Sequence, residues 1–96
     1  MKKIAVIKEP SFLREGIIGT LSNYLPGVTI SAYGSSEKEL IYMEENIADL
    51  LIIDRESDID FFEIIELYQK NRRKIIVWLS HLEQDVLLRL FQSGLD

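Results

Sequence analysis

Hydrophobic positions change period several times along the chain, and each change predicts an element. Lys2–Ile7 (KKIAVI) ends in four consecutive apolar residues, the sign of a short buried strand. From Ser11 the spacing turns helical: Leu13, Ile17, Leu21 and Leu25 recur every four residues, with Ile18 beside them, until Pro26-Gly27 ends the helix. Val28–Tyr33 (VTISAY) is β-branched and alternating, which predicts a strand nearer a sheet edge. Gly34-Ser35 reads as a turn. Ser36 and Glu39 have the spacing of a capping box, so a second helix is expected to run to about Glu45. Leu50–Ile53 (LLII) is fully apolar, which predicts a strand covered on both faces. A polar loop follows from Asp54 to Asp58 or Asp60. A third helix then carries Phe61, Ile64, Ile65 and Tyr68 on one face. Lys74–Leu79 (KIIVWL) is the fourth strand. Ser80 and Glu83 form a second capping box, and a fourth helix places Val86, Leu87, Leu90 and Phe91 on its packing face. Gly94 suits its C-terminal end, with Leu95 set for the hydrophobic contact that follows such a glycine.

The order is strand then helix, four times, with no internal repeat or low-complexity linker. Strands alternating with helices give an α/β domain with a parallel sheet covered on both faces. Right-handed crossovers restrict the topology further. The expected fold is a flavodoxin-like, doubly wound (βα)4 arrangement with strand order 2-1-3-4. The switch point then lies between strands 1 and 3, and functional groups collect beyond the carboxyl ends of the strands there. In this chain those groups are Lys8, Glu9 and Asp54, with Leu79 and Ser80 next door.

Composition narrows the function classes. Ninety-six residues make one domain, large enough for a single core. The chain is 47% hydrophobic and 28% charged, ordinary for a globular domain, and no apolar run approaches the ~20 residues of a membrane span. The four apolar residues after Lys2-Lys3 are too few for a signal peptide, so a cytoplasmic location is expected. There is no cysteine, which excludes disulfides, thiolate catalysis and Cys-ligated metals. A net charge of −5 argues against direct nucleic-acid or acidic-membrane binding by this segment.

Little else in the sequence signals chemistry. There is no Gly-rich phosphate loop, metal-spaced histidine cluster or nucleophile triad. His81 is a lone loop histidine, for which neither metal ligation nor acid–base work is expected. Ser80 reads as a helix N-cap. Asn71-Arg72-Arg73-Lys74 reads as a solvated helix end whose charge complements the dipole. Phe61-Phe62 reads as core. Lys8-Glu9 is the exception, a charged pair placed where an apolar run stops.

Several short stretches together resemble a bacterial response-regulator receiver domain, in the subclass followed by a LuxR-type helix-turn-helix. FLREG (12–16) is similar to that subclass's first helix. ADLLIID (Ala48–Asp54) is similar to the strand carrying the phosphoacceptor aspartate. KIIVWLSH and FQSGLD resemble the fourth strand and the end of the fourth helix. The likeness spans all 96 residues through the order of these stretches. It implies that Asp54 is the candidate phosphoacceptor, and that Glu9 is the second of two acids that, with Asp54, would hold Mg²⁺. Lys8 stands where the first acid belongs. The phosphate-sensing Ser/Thr position falls on Leu79, or on Ser80 after a one-residue slip. Arg55-Glu56-Ser57-Asp58 replaces the usual Met-Pro-Gly. The strand-5 lysine has no counterpart up to Asp96, so the resemblance casts residues 1–96 as a receiver-like domain lacking strand 5 and helix 5.

These departures favour a module that acts through protein contacts over one that is phosphorylated. Lys8 is expected within salt-bridge distance of Asp54, neutralising it in place of a metal. No cofactor is expected, Mg²⁺ being the one candidate ion, and no enzymatic activity. The implied partners are a histidine kinase or other regulatory protein, and a second copy of the chain across the fourth-strand edge. The competing readings are a working phosphoacceptor receiver using Asp54, and an unrelated small flavodoxin-like binding protein.

Overall fold

Five-residue strands and intervening helices build the domain in a computed structural model that describes residues 2–55 and 60–78. The elements are β1 (Lys3–Ile7), α1 (Phe12–Tyr24), β2 (Thr29–Tyr33), α2 (Lys38–Ile41), β3 (Leu50–Asp54), α3 (Phe61–Lys70) and β4 (Lys74–Trp78). Single 3₁₀ turns at Ser35–Glu37 and Glu44–Asn46 flank α2. The four strands are all parallel, in the order β2-β1-β3-β4. This is the expected α/β architecture, consistent with a flavodoxin-like fold. The expected fourth helix, with Leu79, Ser80 and His81, lies outside the described residues.

The alternation of side chains along the inner strands divides the core into two layers. Ala5, Ile7, Leu51 and Ile53 face α2 and α3, where they pack with Ile41, Ile64 and Tyr68. Ile64 and Tyr68 are buried, and Phe61 and Ile65 pack against them, so the expected apolar face of α3 is the one used. The Tyr68 hydroxyl accepts a hydrogen bond from the Ala48 N–H at 3.0 Å, which satisfies two polar groups inside this layer. Ile4, Val6 and Ile52 face the other side.

That second layer is thinly covered. Among the described residues Leu21 is the contribution of α1, beside Val28, Ile30, Ala32, Leu50 and Ile76. No residue of α1 is buried, and Leu13 and Leu25, expected on its packing stripe, are 47% and 40% exposed. The width of the sheet limits what this one described helix can cover. Four strands spaced ~4.8 Å apart are about 14 Å across, more than one helix about 10 Å in diameter can shield.

Three local expectations are corrected. The second helix does not run to Glu45: α2 ends at Ile41, and Met43 turns to an extended backbone. The Asn46 side-chain amide donates to the Leu40 carbonyl at 2.9 Å, replacing the bond that helix continuation would have made. Nor do Ser36 and Glu39 cap it. No side chain caps α2; the Glu37 carboxylate instead caps the 3₁₀ turn before it, accepting from the Gly34 N–H at 3.1 Å and the Ser36 hydroxyl at 2.7 Å. Finally, Phe62 is 69% exposed rather than core. It stands edge-to-face on the half-buried Phe61, and the Arg55 guanidinium lies 4.7 Å from the Phe61 ring centre.

Candidate functional site

The switch point predicted from strand order is where β1 and β3 lie side by side, with Ile7 in register with Ile53. The next residue on each chain is therefore Lys8 beside Asp54. Asp54 is the last residue of β3, held in register with Trp78 of β4. At 7% exposure it is the one buried charged residue among those described. A buried carboxylate is tolerated when a cation and hydrogen bonds compensate for lost water. The Lys8 ammonium supplies the cation, donating to Asp54 Oδ2 at 2.8 Å, with the two side chains 12% and 9% exposed. This is the short, charge-assisted bond expected of a desolvated pair. The anticipated Lys8–Asp54 contact is thus present.

Lys8 is pinned from both sides. Its N–H donates to the Tyr33 carbonyl at 3.0 Å, and its carbonyl accepts from Arg14 Nη1 at 3.1 Å. Ser11 sets the position of Arg14: its hydroxyl caps α1 by accepting the Arg14 N–H at 3.0 Å, fixing where the helix starts. Strand β2 and helix α1 therefore hold the residue whose ammonium reaches Asp54.

Glu9 goes elsewhere. Its two carboxylate oxygens accept from the backbone N–H and, at 2.7 Å, the hydroxyl of Ser35. The carboxylate crosses Gly34 closely: a Cβ there would stand 2.5 Å from it, so a larger residue would push the Glu9 side chain off its present path. Glu9 thereby fixes the turn that leads into α2, where Glu37 also takes part. The Ser36 hydroxyl and the Gly34 N–H hold Glu37 below the ordinary glutamate range.

Of the residues singled out in the sequence, the fold brings Lys8 and Asp54 together and gives Glu9 to Ser35. Ser80 and Leu79 lie outside the described residues. Mg²⁺ prefers six oxygens in octahedral array. Among the described residues no group of three or more His, Cys, Asp or Glu is placed to hold a metal ion. The candidate Mg²⁺ ligands Glu9 and Asp54 each have a partner of their own, and the partner at Asp54 is an ammonium. As arranged, these groups form an ion pair and a loop anchor, and the ion pair does the work of neutralising Asp54.

Sequence reading missed Arg14, Gly34 and Ser35. Arg14 reaches back six residues to the Lys8 carbonyl, a spacing with no standard pattern, and Glu9 meets Ser35 across 26 residues. Strand order held the usable signal, because residues just past neighbouring strands β1 and β2 must meet. No protein-family model, curated protein or solved structure matches the chain. Among the described residues no helix is long and apolar enough to cross a membrane.

Proposed function

We propose that this chain is a receiver-like signalling module of a two-component response regulator controlling transcription, and that it acts by protein contacts rather than by Mg²⁺-dependent phosphorylation. The observation that carries the reading is the Lys8 ammonium on Asp54, 2.8 Å away, at the switch point where phosphoryl chemistry would need a metal ion. The cation at that carboxylate is built into the chain. On this reading the module is not an enzyme and works in the cytoplasm. Its partners are a histidine kinase or other regulatory protein and a second copy of itself.

The dimer reading rests on β4, one of the two outermost strands of the sheet among the described residues. Its last four residues are half-buried rather than buried, and Lys74 is the one charge that blunts it. Two such edges can pair antiparallel about a two-fold axis. Light scattering at micromolar concentration should show a dimer that Trp78→Lys dissociates.

The decisive experiment for the site is incubation with acetyl phosphate and Mg²⁺ followed by intact-mass spectrometry. No appreciable adduct is expected. A stoichiometric phosphate adduct that disappears in Asp54→Asn would instead establish the working phosphoacceptor.

A further inference from the structure

The amino end of the sheet, opposite Lys8 and Asp54, gathers the basic residues that the chain keeps far apart in sequence. β1 starts at Lys3 beside Thr29 of β2, and β4 starts at Lys74 beside Leu50 of β3. Parallel register therefore brings Lys2 and Lys3 to the same end as Arg72, Arg73 and Lys74. These five, of eleven basic residues in a chain of net charge −5, line one groove of about 410 Å³. Its single acid is Asp49, and its apolar lining comes from Ile4, Leu25, Val28 and Leu50.

Internal pairing uses only part of this charge. Asp49 accepts from Arg73 at 3.1 Å and from the Lys3 N–H at 2.8 Å, and the Lys3 ammonium donates to the Glu45 carbonyl. Lys2, Arg72 and Lys74 are exposed and make no ion pair among the described residues. Arg72 adds a second observation. It has φ 57, the one non-glycine residue in the left-handed region among the described residues, at the turn that follows α3. Glycine, which has no Cβ, or asparagine, whose short side chain can hydrogen-bond locally, ordinarily fills that position. An arginine there places a cation at the groove in spite of the backbone.

We infer that this basic, apolar-lined groove at the amino end of the sheet binds an acidic peptide segment of a partner protein, with carboxylates paired to Lys2, Arg72 and Lys74 and an apolar side chain set against Leu25, Val28 and Leu50. The apolar lining separates this occupant from a nucleic-acid backbone, which offers phosphates and sugars but nothing to bury there. The net charge of −5 opposes a polyanion more than a short peptide. The inference stands apart from the phosphorylation status of Asp54.

The probe is a short fluorescein-labelled, amidated peptide of Glu-Glu-Leu repeats, followed by fluorescence anisotropy against the whole chain. Binding should weaken as salt rises, and about tenfold when Arg72→Gly is combined with Lys2→Gln. Arg72→Gly relieves the left-handed backbone strain, so circular dichroism and thermal melting should show the fold intact. Replacing Leu by Ser in the peptide should also weaken it. Absence of binding to the wild-type chain, binding indifferent to both substitutions, or preferential binding of a DNA duplex over the peptide would each overturn the proposal.

Discussion

At the carboxyl end of the sheet, Lys8 and Asp54 are buried against each other; at the amino end, Lys2, Arg72 and Lys74 stand exposed around a groove with one acid among them. Both ends are charged and both follow from the same parallel register. They differ in whether the charge is consumed within the chain. A closed pair resists an incoming ion and is costly to break from one side, whereas surplus cations contribute little to folding and remain open to a ligand. Position at a strand end therefore does not by itself make a site.

The largest expected effect lies at the closed pair. Lys8→Met leaves Asp54 buried without its cation and should lower unfolding free energy by about 3 kcal/mol, measured by urea denaturation. Combining it with Asp54→Leu should recover most of the loss, because an apolar pair of similar volume avoids the desolvation of both charges. An isolated Lys2→Gln at the other end should stay within about 0.5 kcal/mol of wild type. If the two ends responded equally, the contrast would fail.

Tyr68→Phe is expected to come next, at about 1–2 kcal/mol, because it strands the buried Ala48 N–H. Burial pushes the Tyr68 phenol above its ordinary value, the Ala48 hydrogen bond opposing in part. A raised folded-state value means that the unfolded chain gives up this proton first as pH rises. The contribution is thus full below the ordinary phenol value and is lost as pH climbs through the folded one. Unfolding midpoints should fall on the alkaline side, less steeply in Tyr68→Phe.

At the amino end the effects are smaller and one is opposite in sign. Arg72→Gly should stabilise by up to about 1 kcal/mol by removing left-handed strain, seen as a raised melting temperature. Asp49 is held below the ordinary aspartate range, chiefly by the Lys3 N–H, with Arg73 and Lys2 adding to it. Its contribution is present above the unfolded value and is lost as pH falls through the folded one. Acid titration of stability should show this as a shallow loss that Asp49→Asn removes.

The contrast also explains what could be read in advance. Strand order was legible because Leu50–Ile53 is apolar without interruption and β2 alternates, the marks of a central and an edge strand. Lys8 beside Asp54 followed from that order and from the cost of a buried carboxylate. The second helix was misread because Ser36 and Glu39 have capping-box spacing. Glu9, reaching over from the end of β1, anchors the turn one residue earlier, at Ser35. Phe62 was misread because adjacent helical residues point about 100° apart, so one of two neighbouring aromatics must leave the core. Of the basic groove, the run Arg72-Arg73-Lys74 was visible but reads locally as a solvated helix end; its meeting with Lys2 and Lys3 left no local trace, since only the sheet joins them.

The central claim is that the Lys8 ammonium stands in for a metal at Asp54. Trp78 lies in register with Asp54 on the adjacent strand, and its fluorescence serves as the readout. Mg²⁺ titration into wild type and Lys8→Asp is the most direct test. Wild type should show no saturable change at millimolar Mg²⁺, while Lys8→Asp, with its cation replaced by a second carboxylate, should titrate. Saturable Mg²⁺ binding by wild type that vanishes in Asp54→Asn would contradict it.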